Sequence, residues 1–161
     1  MWIPSILQWI ESTDLSTTIR EGALPYPIIG GFHLLGIALF GGMLLVTDLR
    51  LLGWIMPRRS VTDVVEAFRS WKRAGFVLVV ASGLLLTWAE PLKLWRSPSF
   101  WVKMTLLALV GVHALVFRKG VYRNTAKLDE AVSGQAKLAA ALSLILWAGL
   151  IISGRLIAFD A

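Results

Sequence analysis

Four uncharged apolar runs set the limits on how this chain folds: Pro27–Thr47, Ala74–Ala89, Met104–Phe117 and Leu138–Gly154. A hydrocarbon core of ~30 Å takes about 20 helical residues to cross. The two shorter runs reach that length once flanking Trp71, Lys72, Trp101 and Lys103 are counted as interfacial anchors. The expected fold is therefore all-α: a four-transmembrane-helix bundle in one domain, with spans near residues 27–49, 71–92, 100–118 and 136–158. Two short amphipathic helices are expected at the membrane interface, near 2–11 and 60–70. The first shows Trp2, Ile3, Ile6, Leu7 and Ile10 at helical spacing, and the second Val61, Val64, Val65, Phe68 and Trp71. Ser60 or Thr62 is placed to cap the second.

Composition agrees. Hydrophobic residues make up 57% of the 161 and charged residues 16%, against ~25% charged in an ordinary soluble domain. Burying four such runs in a soluble globule of this size would leave too little polar surface. The absence of cysteine excludes disulfides, thiolate zinc sites and cysteine catalysis. No phosphate loop, dinucleotide fingerprint or zinc-protease histidine pair is present.

The net charge of +6 points to membrane topology rather than to nucleic acid, because of where the charges fall. Arg50, Arg58, Arg59, Arg69, Lys72 and Arg73 lie between the first two spans, and Arg118, Lys119, Arg123, Lys127 and Lys137 between the last two. The other side holds Arg20, Lys93, Arg96, Lys103 and Arg155 against Glu11, Asp14, Glu21 and Glu90. The positive-inside rule then puts both basic loops in the cytoplasm and both termini outside. The short hairpin Glu90–Phe100, with Pro91 and Pro98, predicts that spans two and three are antiparallel neighbours. Trp88, Trp95 and Trp101 form an aromatic belt at its surface.

Chemistry in such a chain resides in the polar groups that the spans carry. His33 falls near the outer end of span one and His113 in the inner half of span three. An imidazole in hydrocarbon needs a partner, because an unsatisfied polar group costs ~2–7 kcal/mol. A structural histidine bonded to a neighbouring helix is one reading. The other is a ligand, since neutral imidazole is an axial donor for haem iron. The stripe His33, Gly36, Phe40, Met43, Thr47 puts the histidine, a gap and a thioether on one face. Small residues there serve either close helix packing or a flat ligand. Arg155, flanked by apolar sequence near the outer end of span four, pairs with Glu90 or holds a haem propionate beside His33. At ~1.5 Å per residue, His33 and His113 differ in depth by about 10 Å, which disfavours one haem between them. Asp48 is expected to pair with Lys72 or Arg73.

The chain also resembles a family of small bacterial inner-membrane proteins of unknown function. The segments that carry the likeness are Tyr26-Pro27, His33-Leu34-Leu35-Gly36, Asp48-Leu49-Arg50-Leu51-Leu52-Gly53, Pro98-Ser99-Phe100-Trp101-Val102-Lys103, Ala114-Leu115-Val116-Phe117 and Ser153-Gly154-Arg155-Leu156-Ile157-Ala158. In that pattern an acidic residue precedes the histidine by a helical turn, where this chain has Gly30 or Ile29, and His113 more often gives way to asparagine. The resemblance therefore favours His33 and Arg155 over His113, and it implies a multi-pass protein of the bacterial inner membrane. More distantly, the four-span layout is similar to the helical cores of copper-resistance permeases and membrane b-type cytochromes.

Three function classes follow. The first is a haem b-binding, electron-transfer or redox-linked subunit, with His33, Gly36 and Arg155 around the cofactor and His113 as a further ligand. The second is a cofactor-free accessory subunit that docks its glycine faces on a second copy or on a larger membrane complex. The third is a metal or small-solute permease in which His33, Met43 and Met104 pass a soft cation such as Cu(I), with His113 a further candidate metal ligand.

Overall fold

The computed structural model describes residues 2–117, 121 and 125–160. Arg118, Lys119 and Arg123, and with them the end of the expected third span, lie outside the described residues. Helix is the only regular secondary structure among the described residues, with no strand. They form α1 (Trp2–Glu11), α2 (Asp14–Glu21), α3 (Pro25–Leu52), α4 (Val61–Ala67), α5 (Arg69–Ala89), α6 (Pro91–Arg96), α7 (Pro98–Phe117), α8 (Thr125–Glu130) and α9 (Gly134–Leu156), closed by a 3-10 turn at Ile157–Phe159. Four helices are long and apolar enough to cross a membrane: α3, α5, α7, and α9 with its terminal turn. Leu34 (67% exposed), Leu115 (68%) and Ile145 (68%) point outward. An outer shell of bare aliphatic side chains is suited to lipid and not to water. The fold is all-α and the protein is a membrane protein.

Local chemistry sets the helix ends. Pro25, with no N–H to satisfy, opens α3. Gly53 closes it at φ 82°, where the Gly53 N–H reaches the Arg50 carbonyl and the Trp54 N–H the Leu49 carbonyl, each at 3.0 Å. That Schellman arrangement needs a left-handed residue, which glycine supplies without strain. Ser60 caps α4 by accepting from Asp63 N–H at 2.9 Å, and Ser133 caps α9 through Ala136 N–H at 3.2 Å.

α2 was not foreseen from the sequence, and it has a definite task. Its Ser16 hydroxyl and Arg20 guanidinium donate to the Ala89 carbonyl, at 3.0 and 3.3 Å. A span's last carbonyls have no partner within the helix, and here a separate helix supplies donors for one of them.

The spans do not form a closed square. α3 packs closely on α5 and on α9, and α7 packs on α9, but α5 and α7 are not a closely packed pair. The expected neighbourhood of spans two and three is thereby corrected. Pro91 starts α6 within the hairpin, and α6 docks on α1, so the connection is spent on that contact and the two spans do not close on each other.

The α3–α5 seam is built on two glycines. A Cβ at Gly36 would stand 2.8 Å from the Val79 nitrogen, and one at Gly75 2.7 Å from the Phe40 nitrogen. Each helix thus lays its backbone into a notch of the other. The Trp147 indole fills the space over Gly41. Of the two uses open to the glycine face, Gly36 serves close packing.

The densest core lies at the end carrying the basic loops, the basic end. Leu51, Val61, Val121, Leu128, Ala136, Ala139 and Ala140 form one buried cluster there. Arg50 donates twice to the Arg59 carbonyl, at 2.9 and 2.6 Å. Asp129 accepts from the Val61 and Thr62 N–H groups at 2.6 and 3.1 Å. α4 and α8 are thereby fastened over the end of the bundle. The opposite end, with both chain termini, is the distal end.

Candidate functional site

His33 lies in the distal half of α3 and faces α5. Its Nδ1 stands 3.1 Å from the Ser82 hydroxyl, while that hydroxyl donates its own proton to the Leu78 carbonyl at 2.5 Å. The Ser82 oxygen therefore offers the ring a lone pair, and the Val79 backbone also acts on the ring. This assigns the proton to Nδ1 and leaves the Nε2 lone pair available. Gly83 makes room for the ring: a Cβ there would come within 3.1 Å of His33 Cε1. An imidazole held by one nitrogen and offering the other is the arrangement that ligating histidines use.

The cation near this ring is Lys103. It sits five residues into α7, about 8 Å below the helix start. Its stem runs along α9, with Nζ 3.5 Å from where a Gly154 Cβ would stand, and its charge acts on His33. Among the described residues it has neither an ion-pair nor a hydrogen-bond partner. A lysine placed deep in a span costs ~2.5–3.5 kcal/mol on insertion scales, and less toward the end. Lys103 is thus not the outward anchor that its place after Trp101 predicts. It turns inward and lies against Gly154 of α9.

Arg155 has a different surrounding. It is exposed, and its guanidinium lies 5.4 Å from the Phe159 ring centroid, a cation–π contact. Glu90, the partner expected for it, instead accepts from the Tyr26 hydroxyl at 2.9 Å and pairs with Lys93 at 3.3 Å. Arg155 adjoins Gly154 in the chain, so it flanks the Lys103 level without facing into it.

His113 is buried on α7. Its Nε2 donates to the Ala139 carbonyl of α9 at 2.9 Å, and its ring packs on Phe117 with centroids 4.9 Å apart. Here the nitrogen that a metal would use is spent on a neighbouring helix. Measured along α7 and α9, the His113 level and the Lys103 level differ by about 15–22 Å, so the two histidines do not share a site. Met43 lies ten residues beyond His33 on the same helix, roughly 15 Å away. The structure does not bring His33, His113 and Met43 together. Among the described residues no group of three or more His, Asp or Glu side chains converges on a point.

A second polar group lies near the basic end. Asp48 is 1% exposed. Ser143 of α9 hydrogen-bonds to its carboxyl, and Lys72 acts on it electrostatically, while Oδ2 has no partner among the described residues. The Lys72 ammonium donates to Thr47 at 3.3 Å. Lys72 too turns into the bundle, where an interfacial anchor was expected.

Sequence reading missed Ser82 and Lys103. Each carried a signal: a serine half-way along an apolar run, and a lysine within a turn or two of a span's start. What they face is set by other helices: His33 of α3 for Ser82, and Gly154 of α9 for Lys103.

No curated protein and no solved structure matches the chain. From residue 6 to residue 160 it fits the model of a single family, and it belongs to that family, a family of unknown function (DUF6644).

Proposed function

We propose that this protein is an integral membrane subunit that binds haem b in the distal half of its bundle, as an electron-transfer or redox-linked component. His33 Nε2 is the axial ligand and Lys103 the partner of a propionate. The observation that carries this reading is the seat of His33: Nδ1 stands 3.1 Å from a Ser82 oxygen whose own proton goes to the Leu78 carbonyl, so the ring is held through Nδ1 and Nε2 is left as the donor to iron. Haem b meets both demands of the site, an acceptor for a nitrogen lone pair and a carboxylate for an intramembrane ammonium. Arg155, at the rim, supplies a second cation for the other propionate. His113, committed to α9, is a structural residue in this reading. One imidazole leaves the second axial position to a second copy or to a partner in a membrane complex. Both basic loops face the cytoplasm of a bacterial inner membrane in this scheme, with N- and C-termini outside.

Titration of the detergent-solubilised protein with haem tests it by the Soret band. A saturable red shift, absent in His33→Ala and retained in His113→Ala, is the expected result. A spectrum that stays that of free haem, or one unchanged by His33→Ala, overturns it. The accessory-subunit reading draws on Gly30, Gly31 and Gly42, where an added Cβ would meet nothing within 4 Å among the described residues. Cross-linking in native membranes, lost when these glycines become leucine while haem binding is absent, would favour it instead.

A further inference from the structure

We propose that the distal end carries a built site for one phospholipid, which it recognises through a phosphoethanolamine headgroup. The cavity there, about 410 Å³, is lined by Glu11 of α1, Leu92, Lys93 and Arg96 of α6, Ser97, and Asp160 after the terminal turn. Two cations and two carboxylates thus share one small space and sum to zero charge. None of the four cross pairs closes into an ion pair. The bridges among the described residues go elsewhere, Lys93 to Glu90 at 3.3 Å and Glu11 to Arg20 at 3.8 Å. Arg96 has no partner among the described residues. Opposite charges that line a cavity without touching leave each set able to take a counter-charge from a ligand. A ligand carrying both signs a few ångströms apart satisfies both sets at once.

The carboxylates define the positive half of that ligand. Asp160 accepts from Ser99 N–H at 2.9 Å and from the Ser97 and Ser99 hydroxyls at 2.5 and 3.1 Å. These bonds fix its position and leave about one of its four lone-pair sites. Glu11 keeps its carboxylate only loosely tied. Both want a hydrogen-bond donor, which a primary ammonium provides and a quaternary one does not. The guanidinium of Arg96 defines the negative half, since its planar fork matches a phosphate.

The location supplies the third argument. The cavity lies where α1, α6 and the chain end meet. Around that end, Ile3 (50% exposed), Ile6 (56%) and Trp9 (64%) of α1 point outward, as do Trp95 and Trp101, stacked edge to face at 4.9 Å. Exposed aromatic and aliphatic side chains of this kind mark the level of lipid headgroups. A lipid seated here keeps its chains in the bilayer and its headgroup in the cavity. The site is independent of haem, since no residue is shared with His33 or Lys103.

Native mass spectrometry of the full chain, released from nanodiscs of equal phosphatidylethanolamine, phosphatidylglycerol and phosphatidylcholine, tests the proposal. One retained phosphatidylethanolamine, enriched about tenfold over each competitor, is expected. Arg96→Gln should reduce retention of all three lipids. Glu11→Gln should remove the preference for the primary amine over the quaternary one while leaving overall retention in place. Neither substitution touches the seams between the spans, and the detergent-melt midpoint of each variant checks that the fold is kept. Retention of phosphatidylglycerol in preference, no retained lipid, or identical selectivity in both variants would each defeat the assignment.

Discussion

The two ends of the bundle solve the problem of intramembrane polarity in opposite ways. At the basic end, His113 donates to a carbonyl of the next helix, Arg50 is spent on the Arg59 backbone, and an apolar cluster closes over both. In the distal half, His33 is only half-buried with one nitrogen engaged, and Lys103 has no partner among the described residues. The same residue type is structural in one setting and available in the other. An unsatisfied polar group in hydrocarbon costs far more than its net worth when paired. A span that keeps one must gain elsewhere, which makes the distal half the place to look for a ligand.

The sharpest way to break this contrast is to remove each imidazole in turn. His33→Ala should abolish haem binding while leaving thermal stability near wild type, because the ring makes one side-chain hydrogen bond and is half-exposed. His113→Ala should do the reverse: an unchanged Soret titration, with about 1–3 kcal/mol lost from the cavity and the missing bond. Lys103→Met should weaken haem binding about tenfold, the order of one charge-assisted bond, with the Soret position kept. If His113→Ala, and not His33→Ala, removed the spectrum, the two halves would have been assigned the wrong way round.

A second comparison is internal to α3. Gly36→Val places a side chain into the Val79 backbone and should cost roughly 1–3 kcal/mol or more, since backbone gives way less easily than a side chain. Gly42→Ala meets nothing within 4 Å. It should be neutral, or stabilising by up to ~1 kcal/mol through helix propensity. Detergent-melt midpoints of the two variants separate packing glycines from merely present ones. Equal midpoints would mean that the α3–α5 seam is looser than the structure has it.

What the sequence discloses follows from the range of each interaction. Four membrane-length helices are legible because the length of an apolar run needs no knowledge of its neighbours. Ser60 as a cap and Gly53 as a stop are legible for the same reason, each acting within a turn of itself. The gap between α5 and α7 is not, since short hairpins usually join packed neighbours and only the docking of α6 on α1 diverts this one. The turn of Lys103 and Lys72 into the bundle is equally hidden. A lysine after a tryptophan at a span end reads as an anchor, and the surface Lys103 lies against, at Gly154, is about a third of the chain away. A pair between Arg155 and Glu90, one of the two partners the sequence offers that arginine, does not form, because Tyr26 of the adjoining helix α3 holds the carboxylate.

The smallest effect distinguishes the two ends by their carboxylates. The Thr62 side chain beside it, and the backbone N–H groups of Thr62 and Val61 from which it accepts, hold Asp129 below the ordinary carboxylate range. Ser97 and Ser99 do the same for Asp160 at the distal end. Both groups are lowered in the folded state, so each binds its proton less readily when folded than when unfolded. The stability they contribute is complete at neutral pH, begins to fade near the ordinary aspartate value of about 4, and is gone once the pH has fallen through the lowered folded value. Asp129→Asn and Asp160→Asn should each flatten the acid limb of the melting curve and lower the midpoint slightly at pH 7. They should differ in what loosens. Asp129 pins the start of α4 to α8, so proteolysis of the basic loop 53–60 should quicken in its variant at pH 7. Asp160 pins the chain end to the start of α7, so its variant should fray only the C-terminus and leave that loop protected. An acid limb unchanged by either substitution would show that neither carboxylate holds its end of the bundle.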